Sequence, residues 1–297
     1  MRKDQAMRPI LVTGAAGGRQ GSTGRHVTRM LLERGQAVRA FVRTDDARAA
    51  ELRAMGAEVV VGDLREIASV IPAVRGVRRA FFTYPVTDGM LDATAVFAAA
   101  ARQEGLERVV DVSQLAADPA AGTPHMRRHW VSEQVFDRAG VGAVHLRAAV
   151  FFENLAVLAD AGDGRTLEMP LGSAETVLPL VAGADVARVA TGLLTGPDGE
   201  VDPVCRLTGE VMTIGEAARA FGLVYADQDP RRWRHRATAL YGDAVTVEHL
   251  SHLWELFRAI GGGHALYQVT EAIERVGGRP PRTLRDFTAA RPRPVTR

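Results

Sequence analysis

Val12-Thr13-Gly14-Ala15-Ala16-Gly17-Gly18-Arg19-Gln20-Gly21-Ser22-Thr23-Gly24 is the stretch whose reading decides the fold. It follows a short apolar run, Ile10-Leu11-Val12, and precedes residues 22–34, where Val27, Met30 and Leu31 recur at helical spacing before Gly35. Glycines between a buried strand and a helix have a physical use. One takes φ > 0 in a tight turn, another lets backbone approach a pyrophosphate, and a third lets the helix pack close to the sheet. Free N–H groups and the dipole at the helix N-terminus then favour an anion. A flexible surface turn has the same composition. The strand before it, the helix after it and its place at the head of an alternating array favour dinucleotide binding. Six residues separate Gly17 from Gly24, so the loop is longer than the simple fingerprint. Arg19, within it, is placed either to cover a bound phosphate or to sit in solvent.

Working outward, residues 37–42 read as a second strand and 45–55 as a second helix closed by Gly56. Strands at 59–61, 80–82, 109–112 and 144–146 follow, with an alanine-rich helix over 91–102 and another around 125–139. Short apolar strands alternating with such helices make βαβ units. The expected class is therefore α/β, a doubly wound parallel sheet covered on both faces. After about residue 150 the rhythm changes to a Gly-rich stretch over 162–173, helices near 185–195 and 214–221, and a largely helical region over 229–276. We expect one domain over 8–150 and a smaller mixed, mainly helical C-terminal lobe over 151–297, partly interleaved with it. Val247, Leu250, Leu253, Trp254 and Phe257 recur at helical spacing as a core or dimer face. Around Trp233 the run 231–236 reads as a helix with the indole buried and arginines in solvent. The Arg/Pro-rich tail from about 277 is expected to wrap the surface or fray, rather than to bind an anionic partner.

Composition narrows the function. The 297 residues are 46% apolar and 24% charged, as in a globular protein with a sizeable core. Thirty-seven basic against 35 acidic residues leave +2 at pH 7, a balance that argues against a nucleic-acid or membrane-surface partner. Lys3 is the only lysine, so Schiff-base chemistry and a P-loop lysine are excluded. Cys205 is the single cysteine, which fits a reducing compartment. No apolar run approaches the roughly 20 residues of a membrane span, and the expectation is a soluble, cytoplasmic protein. No His/Cys cluster has metal-ligand spacing, and Ser113 lacks the Gly-x-Ser-x-Gly turn of a nucleophile elbow.

Which nicotinamide is favoured is read at the end of the second strand. An acid there binds a ribose 2′-hydroxyl, whereas an arginine accommodates a 2′-phosphate. The strand ends Phe41-Val42-Arg43-Thr44, and Asp45 and Asp46 follow where they can start the next helix. Arg43 as a guanidinium clamp favours NADP(H) over NAD(H).

The Gly14-to-Gly17 turn, Arg43, Val61-Gly62-Asp63-Leu64 and Phe81-Phe82-Thr83-Tyr84-Pro85 resemble the NmrA-like branch of atypical short-chain dehydrogenase/reductases. So do Phe151-Phe152-Glu153-Asn154-Leu155, Asp185-Val186-Ala187, Leu207-Thr208-Gly209-Glu210 and the near-terminal Gly278 to Pro281 with Asp286-Phe287. The resemblance spans nearly the whole chain. It implies an NADP-binding Rossmann domain with a small lobe closing over a cleft. Gly14, Ala16, Gly17, Arg19, Gly21 and Gly24 would hold the pyrophosphate. Asp63 and Leu64 would lie by the adenine, and Thr83, Tyr84 and Pro85 along the nicotinamide half. Ser113, Gln114 and His129 would face the reacting region.

Short-chain reductases use Tyr-x-x-x-Lys on the helix after the fifth strand, a spacing that puts both groups on one face. This chain has no such pair. His125-Met-Arg-Arg-His129 stands there, with Glu133 one turn on, and the resemblance places His129 where lysine is expected. Histidine titrates near neutrality and can pass a proton to a reduced oxygen, which makes His125 and His129, with Tyr84, the catalytic candidates. Two histidines without a chemical part are the alternative. Hydride transfer itself needs mainly position and exclusion of water. Phe151, Phe152 and Asn154, the only asparagine, are candidates to line a substrate pocket with Gln114. Alternation along an extended segment sends one of the two phenylalanines to the core. The first hypothesis is an NADPH-dependent oxidoreductase acting on a small apolar carbonyl, quinone or enone. The alternatives are a non-catalytic NADP(H)-binding redox sensor that reports to a partner protein, and a non-redox isomerase or cyclase in the same cleft. A homodimer is compatible with each.

Overall fold

The computed structural model describes residues 8–18, 22–197 and 201–291. Its first half comprises β1 (Ile10–Thr13), α1 (Thr23–Glu33), β2 (Val38–Val42), α2 (Ala47–Ala54), β3 (Glu58–Val61), α3 (Ile67–Val74), β4 (Arg79–Phe82), α4 (Met90–Gln103), β5 (Arg108–Gln114), α5 (Pro124–Ala139) and β6 (Ala143–Ala148). Then come β7 (Val150–Phe151), α6 (Phe152–Asp160), β8 (Thr166–Met169), β9 (Val177–Val181), α7 (Gly183–Thr195), β10 (Val204–Leu207), β11 (Glu210–Thr213) and α8 (Ile214–Ala220). The chain closes with β12 (Val224–Asp227), α9 (Pro230–Tyr241), α10 (Ala244–Ala259), α11 (Ala272–Gly277) and α12 (Leu284–Ala289).

The main sheet runs β10-β6-β5-β4-β1-β2-β3, with every neighbouring pair parallel. All of β1 is buried, as expected of a central parallel strand with helices on both faces. Strand order reverses between β1 and β4, and a crevice opens beyond their C-terminal ends at such a point. The doubly wound α/β class is thus the observed one. Hydrophobic spacing did not announce α3, because Pro72 lies inside it and a prolyl ring removes a helical hydrogen bond. Val70, Ala73 and Val74 are fully buried and offset that loss, each large apolar side chain contributing about 1.5–3 kcal/mol.

The second lobe combines a sheet of β11-β9-β7 with the parallel pair β12-β8. Its core contains Trp233, Trp254, Phe152, Leu155 and Leu167, and α10 contributes Val247, Leu250, Leu253 and Phe257. That α10 stripe is therefore core. On α9 the Trp233 indole is buried while Arg231, Arg232 and Arg234 are exposed.

The stretch after residue 150 also returns to the main sheet. β10 pairs with β6, and Val186, Val189 and Leu193 of α7 join Ile10, Val12 and Val27 in one apolar cluster. Arg188 of α7 donates to the carbonyls of Gly277, Arg279 and Pro280, and Asp185 accepts the Arg282 N–H at 2.7 Å. With Leu284 fully buried, the tail wraps the surface as far as it is described. No helix among the described residues is long and apolar enough to cross a membrane.

Candidate functional site

The turn after β1 is held by its own backbone. Gly14 (φ +63°) and Gly17 (φ +76°) both take the left-handed conformation that favours glycine. The Gly17 N–H donates to the Gly14 carbonyl at 3.0 Å. A Cβ on Gly14 would lie 2.6 Å from Thr83 Cγ2, and one on Gly24 2.5 Å from the Gly14 carbonyl oxygen. The first turn of α1 therefore rests directly on the loop backbone. Thr13 and Thr83 tie the two strand ends together: the Thr13 hydroxyl donates to the Thr83 carbonyl at 3.0 Å and accepts the Thr83 N–H at 2.8 Å. Beside Gly18, a Cβ would meet open space. Backbone without side chains at the mouth of a crevice, ahead of a helix N-terminus, is a cradle that fits a pyrophosphate. Arg19 and Gly21, expected here, lie outside the described residues.

At the end of β2 the acids are already engaged. Asp46 caps α2, accepting the N–H groups of Arg48 and Ala49, and its carboxylate also holds the Arg48 guanidinium. Asp45 is bound by Arg53 through both oxygens. Arg43 instead keeps 72% of its side chain exposed, with a 3.6 Å approach to Asp63. The Arg65 guanidinium pulls the Asp63 carboxyl down to about 2, so Asp63 is anionic throughout the neutral range. Arg43, Asp63 and Leu64 line one end of the cleft.

The opposite end lies beyond β5 and β6. Thr123 caps α5 by accepting the Met126 N–H, and Pro124 takes the first-turn position, which aims His125 and His129 inward. Ser113 donates to Glu133 at 2.6 Å, and Arg147 clamps the same buried carboxylate at 2.9 and 2.6 Å. The one Ser113 hydrogen is thereby committed, and only its lone pairs remain for a ligand. The Tyr84 hydroxyl likewise donates to the Asp88 carbonyl at 3.1 Å. Removing Arg147 would leave a buried carboxylate unpaired. Arg147→Met is expected to lower stability by about 3 kcal/mol in urea unfolding, whereas an exposed ion pair would cost well under 1.

Between α5 and α10 three imidazoles cluster, His129 edge-on to His125 and His249 tilted against it. His125 lies 4.8 Å from His129 and 4.5 Å from His249, centroid to centroid, and His249 Nε2 is 3.0 Å from the Gln114 amide nitrogen. Burial lowers all three pKa values, that of His125 to about 4, and at neutral pH the cluster is uncharged. No group of His, Cys, Asp and Glu among the described residues has the geometry to hold a metal ion.

Ser113, Gln114, His129, Tyr84, Phe151 and Asn154 all line the cleft, a cavity of about 530 Å3, as do Gly14, Ala16, Gly17, Gly24, Thr83 and Pro85. Two candidates do not. Phe152 is fully buried against Phe287, because the chain enters α6 there and the ring turns into the small-lobe core. His125 sits behind His129 and His249, and neither of its nitrogens has a hydrogen-bond partner.

A profile of the NmrA-like family matches residues 7–228. The chain belongs to the NmrA-like family. It is 29% identical over 289 residues to an NAD(P)H azoreductase of Xenophilus azovorans, covering 95% of this chain and 97% of the other. Among solved structures, the NADPH-dependent quinone oxidoreductase of Escherichia coli complexed with NADPH has a TM-score of 0.78 at 21% identity, over 94% of this chain and 98% of that one. A nucleoside-diphosphate-sugar epimerase from Staphylococcus aureus also gives 0.78, at 17% identity, over 94% and 99% of the two chains. Likeness to a reductase and an epimerase alike fixes the fold, and the chemistry has to be argued from the site.

In this NmrA-like chain the cleft also uses residues that sequence reading did not assign to it. Thr246, His249, Leu250, Leu253 and Phe257 come from α10, and Leu266 from the segment after it. Thr246 ties α10 to the segment after β4 by donating to the Val86 carbonyl at 2.7 Å. The one available signal was His249 among apolar residues at helical spacing, a pattern that a core helix also produces.

Proposed function

We propose that this protein is an NADPH-dependent reductase of small apolar acceptors of the carbonyl, quinone or enone type. The observation that carries the reading is the single continuous cleft. It joins the glycine cradle after β1 to an aromatic, imidazole- and amide-lined end beyond β5 and β6. The relation over nearly the whole chain to an NAD(P)H azoreductase supports the same direction.

In this reading Gly14, Gly17 and the α1 N-terminus hold the pyrophosphate, and Arg43 meets the 2′-phosphate. When bound, the reduced nicotinamide supplies a hydride. Ser113, a hydrogen-bond acceptor only, orients donor groups of the cofactor, and His129 does the same from α5. The neutral amide of Asn154 meets an oxygen of the acceptor. Water supplies the proton that completes reduction, so the missing Tyr-x-x-x-Lys pair is no obstacle for an acceptor that tolerates a transient oxyanion.

Loss of NADPH absorbance at 340 nm, followed with 1,4-naphthoquinone, an enone and an aliphatic ketone, tests the reading. Turnover with at least one acceptor is expected. Tight NADPH binding without turnover on any of them would overturn it in favour of a cofactor-binding sensor.

A further inference from the structure

We propose that the acceptor end of the cleft selects uncharged aromatic acceptors and rejects anionic ones, with the wall around Leu266 setting that preference. The proposal rests on the reductase reading and names its substrate class.

Charge is unevenly distributed along the cleft. Among its described lining residues Arg43 and Asp63 follow β2 and β3, and Arg48 lies in the first turn of α2, so the charge begins at β2. That is three strand spacings from β5, or about 14 Å. On the acceptor side the remaining acidic side chain in the described lining is Asp243, which caps α10 by accepting the Thr246 N–H at 2.7 Å. The wall there is otherwise apolar or neutral: Phe151, Leu253, Phe257 and Leu266, with the imidazoles of His129 and His249. Those imidazoles are the only basic side chains among the described residues that line this end, and burial keeps them uncharged; Arg147, behind Ser113, is outside the lining and held by Glu133.

An anionic substituent placed here would lose its hydration, find no guanidinium or ammonium partner and face an acidic side chain. Each of these disfavours it strongly in a low-dielectric site. Aromatic faces and the Asn154 amide suit a neutral ring carrying a carbonyl oxygen.

The test uses the intact protein with NADPH and two acceptors of one skeleton, 1,4-naphthoquinone and 1,4-naphthoquinone-2-sulfonate. The sulfonate withdraws electrons and is the more easily reduced, so poorer turnover of it reflects the site. Its kcat/KM is expected to be at least 100-fold lower. Leu266→Arg, at a half-buried position outside helices and strands, should narrow that ratio at least tenfold. Calorimetric titration of both quinones into the NADP+-saturated protein provides a readout without turnover, with the same order of affinity expected. Equal kcat/KM values, or equal affinities, would overturn the charge selectivity while leaving the reductase reading intact. Failure to reduce either quinone alongside unequal affinities would remove the reductase reading and keep the selectivity.

Discussion

Gly24→Ala is expected to abolish NADPH binding, raising Kd more than 100-fold in a fluorescence titration. The added methyl would sit 2.5 Å from the Gly14 carbonyl oxygen and 2.6 Å from that of Thr13. These are backbone atoms at a strand end and a left-handed turn, with no flexible side chain to give way. Helix α1 would have to lift from the sheet, taking its N-terminal N–H groups and dipole out of register with the cradle. Overpacking of this kind also costs about 1–3 kcal/mol of stability. Gly263→Ala, at an exposed position that is not part of the cleft lining, is the control. A Cβ there meets open space, so NADPH affinity should stay within about threefold of wild type. If Gly24→Ala bound NADPH normally, the pyrophosphate would have to lie elsewhere.

Arg43→Ala is expected to raise the Kd for NADPH about 30-fold while leaving NADH within about threefold. A charge-assisted hydrogen bond from a guanidinium is worth about 1.5–3 kcal/mol, and about 1.4 kcal/mol is a factor of ten. The selectivity follows from which groups at the β2 end are free. Asp45 and Asp46 are engaged by Arg53 and Arg48, and Asp63 by Arg65, leaving no acid uncommitted to receive a ribose 2′-hydroxyl. Arg43 is the most exposed of these arginines, and its approach to Asp63, at 3.6 Å, is the longest of the four pairs. Equal losses for the two nucleotides would remove its role at a 2′-phosphate.

How far the site was legible depended on how local its causes are. Gly14, Gly17 and Gly24 were readable because a positive φ or a close backbone approach leaves glycine as the residue that fits. Asp46 was readable as a helix start, since a cap acts within three residues. Of Phe151 and Phe152, alternation showed that one is core, and the entry into α6 immediately after β7 decides that it is Phe152. His125 was misplaced: helical spacing gave it a face shared with His129, yet only the position of α10 decides which of the two rings reaches the cleft.

The sequence by itself determined the alternating α/β order, the glycine cradle and the arginine at the end of the second strand. Each is written in residues a few positions apart, where backbone sterics and helix periodicity act. Tertiary structure decided the rest. Ser113 became an acceptor because its hydroxyl already donates to Glu133, and His249 reached Gln114 across 135 residues of chain. The imidazoles lost their charge because α5 and α10 bury them against each other. Such pairings depend on packing between distant elements, and no local pattern encodes which side chains packing will bring together.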